Sequence, residues 1–372
     1  MFERASLYVL LNTFICMTTI YILLISDPFV INGPEEWGFW FKIISTPIIV
    51  LVGIIGNSLS LLVMRSDALK NKSYSHYLCA LAVFDTLTLI INLIATVDEY
   101  YMYFSLPGIF HNFTNFSCKL YNFLSHVITL MSSWIIVLMA VERLMAVCVP
   151  FKKVLLRTQS GAAIAICVLL LVVCGSQSFR LVMIEHVTYD ESYTIKDCLA
   201  GESYVSVYTS LEVYYYFWTL LFAMPVGAVL LSNSLVLYQI FKVRNEFHKQ
   251  KNNRVNSSVR TRQRSTFMLI GVAFAYIVTL LPTFLLSLVV DLAIKLESRE
   301  TAIKVFIALT PYLKVTESIA LLNYALNFFI YVVSGKRFRF ELRKKCYYRI
   351  RVRRSLTKTR STRDEFIRLQ MA

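Results

Sequence analysis

Uncharged runs of mostly apolar residues repeat along the chain, and the charged residues collect in the shorter segments between them. An α-helix of about 20 apolar residues crosses the roughly 30 Å hydrocarbon layer of a membrane. The pattern therefore predicts an all-α membrane protein, a seven-transmembrane helix bundle. The predicted spans are residues 43–64, 77–97, 120–141, 161–179, 213–241, 265–290 and 305–333.

One more apolar run lies at residues 7–26, and it fits two interpretations. As a signal sequence it has a weak positive start, because Glu3 offsets Arg4, and no clear small-residue cleavage site precedes Asp27. As a signal anchor it would place Met1 in the cytosol. The next span would then cross the membrane in the same direction as it would after a signal sequence. The expected organisation is a signal sequence or signal anchor (1–26), a short extracellular N-terminus (27–42), the seven-span domain (43–335), and a cytoplasmic amphipathic helix with a basic tail (336–372).

The composition agrees with a membrane protein: 57% of the residues are hydrophobic and 16% are charged. Soluble globular chains carry more charge and fewer apolar residues. The net charge of +15 would suit nucleic-acid binding only on a soluble basic domain, and the sequence offers none. We therefore expect no nucleic-acid partner.

The distribution of positive charge predicts the orientation. Lys and Arg are numerous in residues 65–76, 144–160, 242–264 and after 335, whereas the charged residues of 185–212 are mostly acidic. Positively charged loops are retained on the cytoplasmic side. The chain is thus expected to be a multi-pass plasma-membrane protein with a cytoplasmic C-terminus.

The eight cysteines occur singly, without the paired spacing of a metal site. Cys118 and Cys198 both fall on the predicted outer, oxidising side. A bridge between them would close a loop of about 80 residues and hold the acidic loop over the bundle. Cys346 follows the last span in a basic amphipathic stretch, where palmitoylation or an unmodified thiol are the two alternatives.

Sparse sequence marks along residues 43–350 carry a resemblance to a known family. The marks are Asn57 in GNSLSLLV, Asp85 in LAVFD, Cys118 followed by Glu142-Arg143, Cys198, Pro225 in FAMPVG, Pro282 in TLLPTF, Asn327 to Tyr331 in NFFIY, and the helix-like GKRFRFELRKKC. With these marks the chain resembles class A, rhodopsin-like G-protein-coupled receptors, and residues 118–152 are similar to invertebrate neuropeptide receptors of the FMRFamide type.

The resemblance implies a role in G-protein coupling for Glu142, Arg143 and Tyr331. Glu142 is expected to restrain Arg143 at rest, until the inner end of the sixth span swings outward and opens a cleft for a heterotrimeric G protein. Pro225 and Pro282 each remove a helix hydrogen bond, and they are expected to act as hinges.

Polar side chains inside apolar spans are costly unless they meet one another. Asp85 is therefore expected to attract the other polar groups of the bundle, and in similar receptors such a cluster holds a sodium ion. The alternative is a water-filled hydrogen-bond network. The expected members are Asn57, Asp85, Ser132, Asn323 and Asn327. No other cofactor and no other metal are expected.

Several positions depart from the family pattern. Leu280 replaces the usual Trp before Pro282, Phe328 replaces the usual Pro of the seventh-span motif, and Asn233 replaces a Tyr. These departures leave basal activity open.

The class of ligand is predicted by excluding other receptor classes and from the residues at the outer end of the bundle. Ser125 stands where amine receptors carry Asp, and Leu321 stands where opsins carry Lys, so the resemblance favours a peptide ligand. Acidic groups would receive a cationic residue and aromatic rings would stack on the peptide; an interfacial aromatic belt with a solvated acidic rim is the alternative. The expected ligand-binding residues are Asp98, Glu99, Ser125, His126, Glu212, Tyr216 and Glu317.

Asn112 and Asn115 lie in glycosylation signals on the predicted outer side. Serines and threonines among arginines in the tail predict phosphorylation and an arrestin partner, and a basic tail on anionic membrane lipid is the alternative.

Two other receptor classes stay open, a seven-span scavenger that does not couple and a chemosensory receptor for a small molecule. The sequence disfavours a transporter, and it shows no nucleophile with a base, metal spacing or phosphate loop, so an enzyme is not expected.

Overall fold

The computed structural model describes residues 36–104, 106–148, 156, 158–188, 196–249, 256–296 and 299–345. The predicted signal segment at 1–26, Cys346 and the tail beyond it lie outside these residues. In the described part, seven helices are long and apolar enough to cross a membrane. This confirms the predicted seven-span bundle.

The helices of the bundle follow one another along the chain. Their bounds are α1 Glu36–Met64, α2 Ser73–Tyr103, α3 Asn115–Cys148, α4 Gln159–Gln177, α5 in three continuous segments (Val205–Ser210, Leu211–Ala223 and Met224–Lys249), α6 Asn256–Leu296 and α7 Arg299–Ser334. The middle segment of α5 is wound as a π-helix. An eighth helix, α8, covers residues 336–345.

A two-stranded antiparallel hairpin lies between α4 and α5. Strand β1 is Ile184–Thr188 and strand β2 is Lys196–Ala200, and His186 lies opposite Cys198 in the register. A short helical turn, Arg180–Met183, connects α4 to β1. The segment predicted as an acidic loop therefore contains a small sheet.

The helices extend beyond the apolar runs that predicted them. α1 begins at Glu36 and α7 at Arg299, each before the expected span. The length of an apolar run reflects only the part of a helix inside the hydrocarbon layer. The helix itself continues beyond that layer for as long as its backbone N–H and C=O groups hydrogen-bond to each other. Part of the predicted N-terminus at 27–42 is thus helical.

The centre of the bundle is α3. More than half of its most apolar 18-residue window is buried, 56%, against 17% for α4. Side chains that point away from the other helices are also apolar, as at Leu171 and Phe274, which are 72% and 68% exposed. An apolar outer surface is what a lipid environment requires.

Glycines allow α1 to approach its neighbours closely. A Cβ atom on Gly38 would lie 2.4 Å from the Cα atom of Pro311 in α7, and one on Gly53 would lie 2.4 Å from the Leu89 side chain of α2. The absence of side chains at these positions sets how near α1 comes to α2 and α7.

Candidate functional site

One end of the bundle carries the disulfide between Cys118 and Cys198, and we call it the disulfide end. The bond joins the start of α3 to β2, with the two Cα atoms 5.2 Å apart and 80 residues apart in sequence. The hairpin is therefore fixed beside α3. Asn112 and Asn115, the predicted glycosylation sites, are exposed at the same end.

A cavity of about 440 Å³ opens at the disulfide end. Four predicted ligand-binding residues line it: Ser125, His126, Tyr216 and Glu317. The sequence did not single out most of the wall. The other lining residues come from α1, α2, α3, α5, α6, α7 and the loop before α3, and they include Lys42, Asn92, Phe110, Tyr121, Asn122, Phe217, Leu280, Thr283, Phe284 and Tyr324.

Four charged side chains of α1, α2 and α7 form an alternating cluster, the ionic ring, at the edge of this cavity. The Lys42 Nζ atom is 2.8 Å from Glu99 and 2.7 Å from Glu317. Lys314 pairs with the other oxygen of Glu99. Glu99 and Glu317, which the sequence assigned to a cationic ligand, are thus already neutralised by lysines of the chain.

Arg180 is completely buried where α4 meets the hairpin. Its guanidinium donates to Gln177 at 3.1 Å, to Asn122 at 3.0 Å and to the Tyr208 hydroxyl at 2.7 Å, and it pairs with Glu212. Glu212, whose side chain is 26% exposed, therefore serves as the partner of a buried arginine. Arg180 directly follows the predicted fourth span, 161–179, so the rule that marks ionisable residues inside spans as functional did not single it out.

His126 connects this buried charge to the cavity. Its Nε2 atom is 3.2 Å from a Glu212 oxygen, and its Nδ1 atom is 2.7 Å from the Asn122 carbonyl. The Ser125 hydroxyl lies 3.1 Å from the same Nδ1 atom. The Tyr216 ring lies edge-on to it, with centroids 4.7 Å apart.

Asp98 does not line the cavity. It is 7% exposed and accepts the backbone N–H of Phe110 at 3.0 Å. A Cβ atom on Gly108 would lie 2.3 Å from its carboxylate, so the loop needs glycine there. Asp98 organises the loop between α2 and α3.

Asp197 lies in β2, next to the disulfide. Burial raises the pKa of Asp197 above its usual range, although the hydrogen bond from the Cys198 backbone N–H acts against that rise. Asp98 raises this pKa further and His186 lowers it. The carboxyl group thus sits where its charge is disfavoured.

Halfway along the bundle, Asp85 collects polar side chains from two neighbouring helices. Ser132 donates to one carboxylate oxygen at 2.5 Å and Asn327 donates to the other at 2.6 Å. Asn57 instead donates to the Tyr324 carbonyl, at 3.0 Å. The structure thus brings three of the five predicted members into direct contact.

Asn323 is buried, at 2% exposure, and neither of its amide atoms has a hydrogen-bond partner among the described residues. The Oδ1 atom of Asn57 also has no hydrogen-bond partner among the described residues. Buried groups of this kind normally bond to water, an ion or protein. A carboxylate, a hydroxyl and free amide oxygens are suitable ligands for a small hard cation.

The opposite end, which we call the Arg143 end, carries the charged pair of α3. The Arg143 Nε atom is 2.8 Å from a Glu142 oxygen, and Ser73 of α2 donates to the other Glu142 oxygen at 3.0 Å. The guanidinium also lies 5.1 Å from the centre of the Tyr74 ring. Arg143 is therefore held against α2 in this arrangement.

Tyr331, the third predicted coupling residue, is buried at the end of α7. Its ring packs edge-on against Phe338 of α8, with centroids 5.6 Å apart. Glu142 and Arg143 are in contact with each other, and Tyr331 connects α7 to α8.

The two predicted hinges occupy different kinds of position. Pro282 lies inside α6, whereas Pro225 lies at the junction between the π-wound and α-wound segments of α5. Pro47 in α1 and Pro311 in α7 are further helix prolines that the sequence prediction did not single out.

Comparison with known proteins gives one family and several relatives. The sequence profile of the 7 transmembrane receptor (rhodopsin family) matches residues 56–331. The chain is 30% identical over 130 residues to the galanin-like G-protein coupled receptor npr-9 of Caenorhabditis elegans, which covers 35% of this chain and 28% of that protein. It is 28% identical over 236 residues to growth hormone secretagogue receptor type 1 of Sus scrofa and of Oryctolagus cuniculus, which covers 62% of this chain and 61% of each relative.

Proposed function

Because the chain belongs to the rhodopsin family of seven-transmembrane receptors, we propose that it binds an extracellular neuropeptide at the disulfide end and activates a heterotrimeric G protein at the Arg143 end. Outward movement of α6 would connect the two events. The matched relatives are named as receptors, in agreement with the expectation that the chain is not an enzyme.

The observation that carries this proposal is the placement of both sites on α3. His126 lines the cavity, and Arg143 is paired with Glu142 at the other end of the same helix. Seventeen residues of α-helix span about 25 Å, most of the thickness of a membrane. One buried helix thus connects a ligand cavity to a restrained arginine.

A peptide is the ligand class that the cavity supports best. Its volume is within the usual range for small-ligand sites, so a peptide would insert one end and leave the rest at the mouth. Phe217, Phe284 and Tyr216 provide aromatic contact area. The relatives named for galanin-like and growth hormone secretagogue receptors support this class.

The charge pattern supports a plasma-membrane orientation with the Arg143 end and the C-terminus in the cytoplasm. α8 at that end carries Lys336, Arg337, Arg339 and Arg343, which suit anionic membrane lipid. Arrestin binding to a phosphorylated tail and palmitoylation of Cys346 belong to the same proposal. A C-terminal epitope that reacts with antibody on intact cells would contradict this orientation.

A sodium ion beside Asp85 is also part of the proposal. Asp85, Ser132 and the unpaired amide oxygen of Asn323 would hold it, with Asn327 bonded to the carboxylate from the other side. The ion would stabilise the resting arrangement by binding polar groups that otherwise have no partner.

The test is a cell panel of amidated peptides with calcium and cAMP readouts, run on the native chain and on Arg143→Ala. We expect at least one peptide to give a signal that Arg143→Ala abolishes while surface expression persists. Arg65→Ala is the matched control, because it removes an exposed arginine from the same end without touching Glu142.

A peptide that binds the native chain but gives no signal, and no nucleotide exchange on purified G proteins, would favour the non-coupling scavenger. A response to small molecules and to no peptide would favour the chemosensory receptor. Either result would overturn the proposed function.

A further inference from the structure

The face of α1 that turns toward α7 fixes the position of Lys42. Gly38 lies one turn before Lys42, where an added Cβ atom would be 2.4 Å from the Cα atom of Pro311. Ser45 follows on the same side of the helix, and its hydroxyl donates to the Ser318 hydroxyl of α7 at 3.1 Å. Lys42 is therefore held between two close contacts of α1 with α7.

From this position the Lys42 ammonium group contacts carboxylates of two other helices. Its Nζ atom is 2.8 Å from Glu99 in α2 and 2.7 Å from Glu317 in α7. Lys314 of α7 pairs with the other oxygen of Glu99. Positive and negative groups thus alternate along the ionic ring. With the ordinary charges of Lys and Glu at neutral pH, the four side chains of the ring have no net charge.

The ionic ring reaches the cavity through Lys42 and Glu317, which both line it. Glu317 is the more open of the two, with 44% of its side chain exposed against 18% for Lys42. It is also the acid of the ring that an entering ligand meets, because Glu99 does not line the cavity. The carboxylate within reach of a ligand is therefore already bonded to an ammonium group of the chain.

The other charges near the cavity are compensated in the same way. Among the described residues that line the cavity, one further side chain apart from the tyrosines is ionisable, His126. Its Nε2 atom is 3.2 Å from a Glu212 oxygen, and the other oxygen of Glu212 pairs with Arg180. A charged ligand group would lose hydration on entry without meeting an unpaired counter-charge. An uncharged group is less costly to bury.

We propose that Lys42 is a specificity-determining residue, which occupies the Glu99 and Glu317 carboxylates as an internal counter-ion so that the cavity rejects a cationic ligand group and receives an uncharged one. This inference rests on the proposed function and names the chemical class of the ligand end that enters the cavity. Specificity often depends on an element that disfavours the wrong ligand. Removing either partner of the pair would create a preference for the missing sign of charge.

The experiment measures the dissociation constants of small probes by saturation-transfer difference NMR, with the full chain in phosphatidylcholine nanodiscs. The probes n-butylguanidinium and n-butylurea have nearly the same shape and differ in charge. We expect n-butylurea to bind the native chain at least as tightly as n-butylguanidinium does. A native chain that prefers n-butylguanidinium by about 10-fold, the effect of one hydrogen bond between charged groups, would overturn the proposal.

Lys42→Met removes the ammonium group and keeps an unbranched, flexible side chain. We expect the affinity for n-butylguanidinium relative to n-butylurea to rise by about 10-fold or more, because a carboxylate loses its internal partner. Lys42→Arg keeps the positive charge and should keep the native ratio. Lys119→Met is the matched control, since it removes a lysine of α3 at the disulfide end, outside the ionic ring. An unchanged ratio in Lys42→Met, or an equal change in Lys119→Met, would overturn the proposal.

Glu317→Gln tests the opposite sign of charge and does not depend on the folding of Lys42→Met. It leaves Lys42 and Lys314 with Glu99 as the one acid of the ionic ring. We expect it to bind butyrate more tightly than butyramide by about 10-fold or more, whereas the native chain should not prefer butyrate. If Lys42→Met does not fold, the same butyrate preference in Glu317→Gln and in the native chain overturns the proposal by itself.

Probe binding needs neither a peptide nor a G protein, so it separates this inference from the proposed function. Probe preferences that change as expected, in a chain that no peptide activates, would support the role of Lys42 and contradict the proposed function. Peptide-dependent signalling by the native chain, together with unchanged probe preferences in Lys42→Met and Glu317→Gln, would contradict this inference alone.

Discussion

Arg180 shows how a charged side chain is accommodated inside this bundle. It is completely buried, and its donors are directed to an amide, a hydroxyl and the Glu212 carboxylate. Each contact replaces hydration that the burial removes. Such a pair gives little stability over a well-packed apolar pair, but the loss of one partner leaves an uncompensated buried charge.

We therefore expect Arg180→Gln to destabilise the protein by about 3 to 5 kcal/mol, the usual result of breaking a buried pair from one side. The measurement is the thermal melting temperature in nanodiscs. Glu212→Gln in the same chain should recover part of the loss. If Arg180→Gln melts like the exposed-site control Arg65→Gln, the pair has no structural role.

Asp197 gives a pH dependence whose sign follows from its raised pKa. The folded protein holds the Asp197 proton at a higher pH than the unfolded chain does. Protonation thus favours the folded state, and stability rises as the pH falls through the raised value toward the ordinary carboxyl range near 4.

Asp197→Asn keeps an oxygen that accepts the Cys198 N–H and removes the titration. We expect it to melt higher than the native chain at pH 7 to 8, with the difference shrinking toward pH 5. Melting curves across this range measure it. Asp67→Asn is the control, because Asp67 is exposed and Lys70 lowers its pKa. A difference that grows as the pH falls would contradict the assignment.

At the scale of the helix, the contact between α1 and α7 depends on a missing side chain. Gly38 packs on the backbone of Pro311, and one turn later Lys42 reaches across to Glu317. The ionic ring and the cavity edge therefore depend on how closely the two helices approach.

Gly38→Ala is expected to separate the ends of α1 and α7, because the added Cβ would lie 2.4 Å from a backbone atom that cannot move aside. Overpacking of this kind costs about 1 to 3 kcal/mol, and it should lower the melting temperature.

Gly175→Ala in α4 is the matched control, since a Cβ there meets nothing within 4 Å. It is expected to be neutral or stabilising by up to about 1 kcal/mol through helix propensity. Equal destabilisation by both variants would show that the close approach is not the cause.

At the scale of the whole molecule, the polar cluster around Asp85 connects α2, α3 and α7 at mid-membrane, between the cavity and the Arg143 end. A cation bound there would link three helices and stabilise the arrangement in which they meet. The unpaired amide oxygen of Asn323 is the group that such an ion would satisfy.

We expect sodium chloride to raise the melting temperature by about 2 to 4 °C over potassium chloride at equal ionic strength, the shift for a ligand that adds about 1 kcal/mol. Asp85→Asn should abolish the difference between the salts. A sodium effect of equal size in Asp85→Asn would place the ion elsewhere.

Much of the architecture was predictable because a membrane restricts the choices. Without water to bond the backbone, an apolar run of sufficient length has to be helical, and the seven predicted spans that lie within the described residues are all helices. The family marks pointed to the Glu142–Arg143 pair, to Asp85 with Ser132 and Asn327, and to Cys118 with Cys198, and the structure brings each of these groups together.

The sequence by itself determined the seven spans between residues 43 and 333 and the family, because hydrophobicity and motif spacing are local properties of a chain. Only the tertiary structure decided which charges meet. Glu99, Glu212 and Glu317 look like free acids along the chain, yet Lys42, Arg180 and Lys314 neutralise them from other helices. Which charged side chains pair depends on how each helix is rotated about its axis and on how closely two helices approach, as α1 and α7 do at Gly38. The pattern of residues along the chain does not specify these distances between helices.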